Sequence, residues 1–303
     1  MEMDRMEMKI KELARKRGAI ILAHNYQPPE IQDLADLCGD SLELSRKAAE
    51  TDAQVIVFCG VHFMAETASI LSPDKKVLLP RMDAGCLMAD MITAEELQIK
   101  LDNLPPMPVV TYVNSTADVK ALSTVCCTSA NVVQVVNSLE EDEMLLTPDR
   151  NLAMYAASKT GKKIHIWQGY CPTHEWLTVA DVEAAQAAHP NAVFLAHPEC
   201  RPEIVRMADV VASTSGMLRH VAQAKEEEFI IGTEIGILHP MQKAAPGKKL
   251  YPASKKMTCK NMKKISMEDV LRSLEELSGE VKVPEEIRIP ALSAVQAMID
   301  LKI

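Results

Sequence analysis

Ala19-Ile-Ile-Leu-Ala-His-Asn-Tyr26 is an unbroken aliphatic run that ends on histidine, asparagine and tyrosine. Continuous rather than alternating apolar character marks a strand buried on both faces, as in parallel sheets covered by helices. The same plan returns twice, in Val109-Val-Thr-Tyr-Val-Asn114 and in Ala192-Val-Phe-Leu-Ala-His-Pro-Glu199. A helical stretch follows each run and leads to a small polar cluster: Gly39-Asp-Ser41, Cys127-Thr-Ser129 or Ser213-Thr-Ser215. A second helix and a second strand come next, the strand being Val55–Phe58, Met144–Leu146 or Phe229–Ile231. Each unit then reaches a Lys-Lys pair and a cysteine: Lys75-Lys76 before Cys86, Lys162-Lys163 before Cys171, Lys248-Lys249 before Cys259.

The spacings agree. Cys86 and Cys171 lie 85 residues apart, Cys171 and Cys259 88. From the polar end of the first strand to the cysteine, His24–Cys86, Tyr112–Cys171 and His197–Cys259 span 62, 59 and 62 residues. This regularity identifies an internal repeat. Strands alternating with helices predict an α/β fold of three homologous αβα sandwich domains. Their spans are 1–104, 105–190 and 191–303, holding Cys86, Cys171 and Cys259 respectively. Three like units can pack around a pseudo-threefold axis, bringing strand C-terminal ends, where open α/β sheets bind ligands, to a central active site. Asp40-x-x-Glu43 has capping-box spacing, and Ser129 and Ser215 are expected to precede helices in the other units.

Composition narrows the function. Of 303 residues, 48% are hydrophobic and 25% charged, the proportions of a globular protein. The net charge of −9 argues against nucleic acid or an anionic membrane as partner. No apolar run approaches the roughly 18 residues of a membrane span, and Met1 to Ile10 lacks a signal-like apolar stretch. A cytoplasmic protein is expected, in which eight cysteines are thiols or ligands rather than a disulfide frame. No GxGxxG, P-loop, HExxH or GxSxG motif is present, nor any CxxC pair, so a metal site must be assembled from distant parts of the chain.

Under the repeat, chemistry-bearing residues fall into layers. Cys86, Cys171 and Cys259 form one; His24, Tyr112 and His197 a second; Tyr26, Asn114 and Glu199 a third; and Ser41, Ser129 and Thr214–Ser215 a fourth, at helix N-termini. Packing alone gives no reason to repeat thiols, imidazoles and hydroxyls at strand ends. Three thiolates can hold zinc, with His174 as fourth ligand, or an iron–sulfur cluster with one iron left open as a Lewis acid. The hydroxyls at helix N-termini suit an anion. Cys38, Cys59, Cys126, Cys127 and Cys200 show no such logic and are read as structural, as are His62, His165, His189, His220 and His239.

These residues resemble the quinolinate synthase family, the A protein of de novo NAD biosynthesis, over nearly the whole chain. The marks are Ala23-His-Asn-Tyr-Gln27, Asp40-Ser41, Phe58-Cys-Gly-Val-His-Phe-Met-Ala-Glu-Thr67, Pro80-x-x-x-Ala-Gly-Cys86 and Thr111-Tyr-Val-Asn-Ser115. Gly169-Tyr-Cys-Pro-Thr-His174, Ala196-His-Pro-Glu-Cys200, Ser213-Thr-Ser215, Gly232-Thr-Glu234 and Cys259-x-Asn-Met-Lys-Lys264 complete them. The resemblance implies one [4Fe–4S] cluster per chain on Cys86, Cys171 and Cys259. It implies condensation of iminoaspartate with dihydroxyacetone phosphate to quinolinate, phosphate and water, and a functional link to an aspartate oxidase or dehydrogenase that makes the imine. His24, Tyr26, Tyr112, Asn114, His174, His197 and Glu199 would line the substrate cavity, with Ser41, Ser129 and Thr214 gripping carboxylate or phosphate. Glu199 with His197 is the expected general base, Tyr26 and Tyr112 the orienting or proton-donating groups, and His24 and His174 further acid–base candidates. Lys260 departs from the proline that many relatives carry after the third cysteine. Two rivals stand beside this reading: a zinc-stabilised binding protein for a phosphorylated metabolite, and a cluster-dependent hydro-lyase.

Overall fold

A computed structural model describes residues 2–301. Twelve strands form three separate four-stranded sheets, every pair parallel. The first holds β1 (Ala19–His24), β2 (Leu37–Gly39), β3 (Val55–Cys59) and β4 (Lys76–Leu78); the second β5 (Val109–Tyr112), β6 (Val125–Cys127), β7 (Glu143–Thr147) and β8 (Lys163–Ile166). The third holds β9 (Val193–Ala196), β10 (Val210–Val211), β11 (Glu228–Gly232) and β12 (Lys249–Pro252). Strand orders are β2-β1-β3-β4, β6-β5-β7-β8 and β10-β9-β11-β12, one topology used three times. Central strands such as β3 and β5 are buried throughout, which is why they read as unbroken apolar runs.

Each unit has four strands where the sequence reading finds two. The missed ones are the edge strands, two to four residues long and too short to show periodicity. The Lys-Lys pairs mark the outermost. The first lysine of each pair reaches back to carbonyls at and just beyond the end of the helix that precedes the third strand. Lys248 Nζ donates to Ala224 O at 2.9 Å and Glu226 O at 2.5 Å, while Lys75 reaches Ala48 and Thr51, and Lys162 reaches Leu139 and Glu141. A cation there satisfies carbonyls that the helix cannot. Lys248→Met should therefore lower unfolding stability by about 1–2 kcal/mol, measured by denaturant titration.

Two features differ from expectation. The helix of the third unit begins at Thr214 with Ser213 as its cap, so Ser215 lies inside the first turn; in the second unit the helix starts only at Val132. The expected capping box at Asp40 and Glu43 is present on the helix Ser41–Glu50. The chain's last helices leave their own unit. Met267–Glu276 packs on the N-terminal helix and β3, and Glu285–Asp300 packs on β6 and on helices of the first two units. No helix among the described residues is long and apolar enough to cross a membrane.

Candidate active site

The first strand of each unit, β1, β5 or β9, delivers two polar residues at or just beyond its C-terminal end: His24 and Tyr26, Tyr112 and Asn114, His197 and Glu199. All six border one cavity of about 330 Å³, together with Ser41, Ser129, Thr214, His174, Cys86, Cys171 and Cys259. Every residue named from the sequence thus reaches a common space except Ser215, whose hydroxyl turns to Glu43. Ser41 and Thr214 each open a ten-residue helix, so two helix N-termini face the cavity. Ser129 instead precedes its helix and meets His197 Nε2 at 3.2 Å. Asn114 borders the cavity, and its Oδ1 is buried with no hydrogen-bond partner.

Strand ends fix the tautomers of two histidines in the same way. The backbone N–H two residues on donates to Nδ1: Tyr26 to His24 at 3.2 Å, Glu199 to His197 at 3.4 Å. With Nδ1 accepting, the proton belongs on Nε2. Burial lowers both rings to about 3, against the pull of Glu199, so they are neutral donors at ordinary pH.

A chain of hydrogen bonds crosses the cavity wall and draws on all three units. Tyr112 Oη donates to Glu199 Oε1 at 2.5 Å, and His174 Nδ1 lies 2.7 Å from Glu199 Oε2. His174 Nε2 meets Thr233 Oγ1 at 2.8 Å, which meets Tyr26 Oη at 2.5 Å. Burial would raise Glu199, but His174 and His197 together with the hydrogen bonds from His174 and Tyr112 hold it below the usual carboxylate range. Burial and the Glu199 charge push both tyrosines well above theirs, so they stay phenols. A carboxylate, an imidazole with a bond at each nitrogen, and two phenols in sequence can pass a proton in either direction by reversing the bonds.

The cysteines share a second device. Each begins or immediately precedes a short helical turn whose backbone N–H groups draw its thiol pKa down: Met88 and Ala89 at Cys86, His174 at Cys171, Asn261 and Met262 at Cys259. Burial is the larger effect and pushes all three thiols up, Cys86 to about 12. One set of donors lies within 4.8 Å of one another and could hold a metal ion: Cys171, His174 and Glu199. The three sulfurs do not form such a set. On one tetrahedral zinc they would lie about 3.8 Å apart, given Zn–S of about 2.3 Å. They are not drawn together as a single ion would require.

Four contributors carry no role in the sequence reading: Thr233, Glu234, Lys263 and Asp149. Glu234 Oε1 accepts the Cys259 N–H, Asp149 Oδ2 that of Cys171, and Lys263 pairs with Glu234 at 3.0 Å. Gly236 permits this packing, since a Cβ there would meet Lys263 Nζ and Glu234 Oε2 at 2.5 and 2.8 Å. Asp149 and Glu234 stand two residues beyond equivalent strands, a layer hidden because the first unit has Val61 there. The other five cysteines lie off the cavity; four are buried and Cys38 is half-buried.

Comparison with known proteins adds the last observation. The family model for the quinolinate synthetase A protein (NadA) matches residues 8–300. The chain is 54% identical over 299 residues to a quinolinate synthase of Geotalea uraniireducens, covering 99% of this chain and 98% of that one. It is 53% identical over 293 residues to that of Thermodesulfovibrio yellowstonii, covering 96% and 97%. Quinolinate synthase 1 of Methanosarcina acetivorans is 52% identical over 295 residues, covering 97% of each.

Proposed function

This chain belongs to the quinolinate synthetase A protein family, and on that premise we propose that it is a cytoplasmic quinolinate synthase. It condenses iminoaspartate with dihydroxyacetone phosphate to give quinolinate, phosphate and water, and depends on an aspartate oxidase or dehydrogenase for the imine. The observation that carries this reading is the one cavity bordered by Cys86, Cys171 and Cys259, one from each unit, and by the Tyr112–Glu199–His174–Thr233–Tyr26 chain. Cys86, Cys171 and Cys259 would hold one [4Fe–4S] cluster; when bound, it supplies an iron with an open position that polarises a substrate oxygen as a Lewis acid.

The rest of the chemistry falls to the protein's own groups. Both substrates are anionic, and the N-termini behind Ser41 and Thr214 give carboxylate or phosphate a positive, donor-rich seat despite the net charge of −9. Neutral His24 and His197 add N–H donors without adding charge, and Asn114 borders the same space with its amide. Glu199 takes protons as general base, assisted by His197; Tyr112 and His174 stabilise and reload it, and Tyr26 returns protons through Thr233. Low exposure of these groups keeps competing water from a hydrolysable imine.

The Cys171–His174–Glu199 set favours one other reading, a single zinc ion. It leaves Cys86 and Cys259, which border the same cavity, without a part to play. Anaerobic purification separates the two. The cluster reading expects a brown protein with about four iron per chain that forms quinolinate only when both substrates are supplied. A colourless protein with one zinc, or turnover indifferent to dihydroxyacetone phosphate, would overturn it.

A further inference from the structure

The three cysteine loops are tethered to their sheets by one repeated backbone bond. In every unit the third residue beyond the third strand donates its N–H to the carbonyl two positions before the cysteine. His62 donates to Ala84 at 2.8 Å, Arg150 to Gly169 at 2.8 Å and Ile235 to Met257 at 2.9 Å. The preceding residue breaks the symmetry: it is Val61, Asp149 or Glu234. Strand register makes the three equivalent, because Cys59, Thr147 and Gly232 pair with Ala23, Thr111 and Ala196.

Both carboxylates act as two-pronged brackets. Asp149 Oδ1 accepts the N–H of Leu152 at 2.7 Å, at the start of the next helix, and its Oδ2 accepts that of Cys171 at 3.1 Å. Glu234 Oε2 accepts the N–H of Gly236 at 2.7 Å, and Oε1 that of Cys259 at 3.1 Å. Both residues are wholly buried, so water does not compete for these bonds. Capping the next helical turn would need only one oxygen; in both units the other goes to the cysteine. The Val61 side chain offers no acceptor, and the Cys86 N–H makes no hydrogen bond among the described residues.

We propose that Asp149 and Glu234 are positioning residues that hold Cys171 and Cys259 as preset ligands, and that Cys86 is the adaptable third, its loop ordered by what the three sulfurs bind. The assignment rests on the reading that these cysteines share one metal group, but the brackets themselves do not. Residue-resolved hydrogen–deuterium exchange on the full chain tests it, before and after anaerobic reconstitution with iron and sulfide. Before reconstitution the Cys86 amide should exchange at least about tenfold faster than those of Cys171 and Cys259. Asp149→Asn keeps one acceptor oxygen instead of two and should speed exchange at Cys171 alone, and Glu234→Gln at Cys259 alone. Reconstitution should slow Cys86 the most. Equal protection of the three amides, or a bracket variant that leaves its own cysteine unchanged, overturns the proposal. If a variant unfolds, seen as fast exchange across the central strands, the wild-type ranking decides. Failure to take up iron with that ranking intact would remove the cluster reading and leave the brackets standing.

Discussion

Cys171→Ala, purified without oxygen, should yield a colourless protein with less than about one iron per chain and no measurable quinolinate formation; Cys86→Ala and Cys259→Ala should behave alike, and Cys38→Ala should stay brown and active. The expected size of the effect follows from the ligand count. A cluster held by four thiolates tolerates the loss of one poorly, and here only three are offered. Changes in the groups that merely orient a ligand already cost about 10–100-fold in metal affinity, so deletion of a ligand should cost at least that. Cys38 supplies the contrast because its sulfur is spent elsewhere, 3.4 Å from Asn25 Oδ1 and 3.6 Å from Gln32 Oε1, off the cavity. Iron and sulfide analysis with visible spectra decides the matter. A brown Cys171→Ala protein would mean that the sulfurs facing the cavity are bystanders.

How much of this was legible beforehand depended on how strongly burial imprints itself on sequence. The central strands are buried on both faces and must be aliphatic, so Ala19–Ala23 and Val55–Phe58 announced themselves. Edge strands such as Val210–Val211 need only two hydrogen-bonded residues and leave no pattern. The spacing of His24, Tyr112 and His197 to their cysteines exposed the site because the repeat carries polar residues where packing alone would not. It failed where the copies diverged. Asp149 and Glu234 do matching work, but Val61 in the first copy concealed the layer, and Thr233 has Gly60 and Pro148 as counterparts. The placement of the helix Glu285–Asp300 on the first two units was not legible either, since an apolar stripe specifies that a face is covered and not by what.

Glu199→Gln should retain the cluster and the fold yet lose about 10²–10⁴-fold in kcat, the range for removing a general acid or base. Glutamine preserves the shape and one acceptor oxygen. It cannot take a proton, and its amide NH₂ must now face either the Tyr112 hydroxyl or His174 Nδ1, where an oxygen sits 2.5 and 2.7 Å away in the native chain. Whichever way the amide turns, one bond of the relay is inverted: Tyr112 has to accept, or Nδ1 has to lose its proton and His174 change tautomer, which then reverses the demand on Thr233. No other group here can replace the carboxylate as base: burial makes His24 and His197 weak proton acceptors, and both have Nδ1 occupied by a backbone N–H, so His197 can assist Glu199 but not stand in for it. Substrate affinity should change less than kcat, as the anion seats at Ser41 and Thr214 lie on other elements. Steady-state kinetics beside iron content separates the two effects. A variant that forms quinolinate at near-normal rate would take Glu199 out of the chemistry and leave the relay a scaffold for the cysteine-bearing turn at His174.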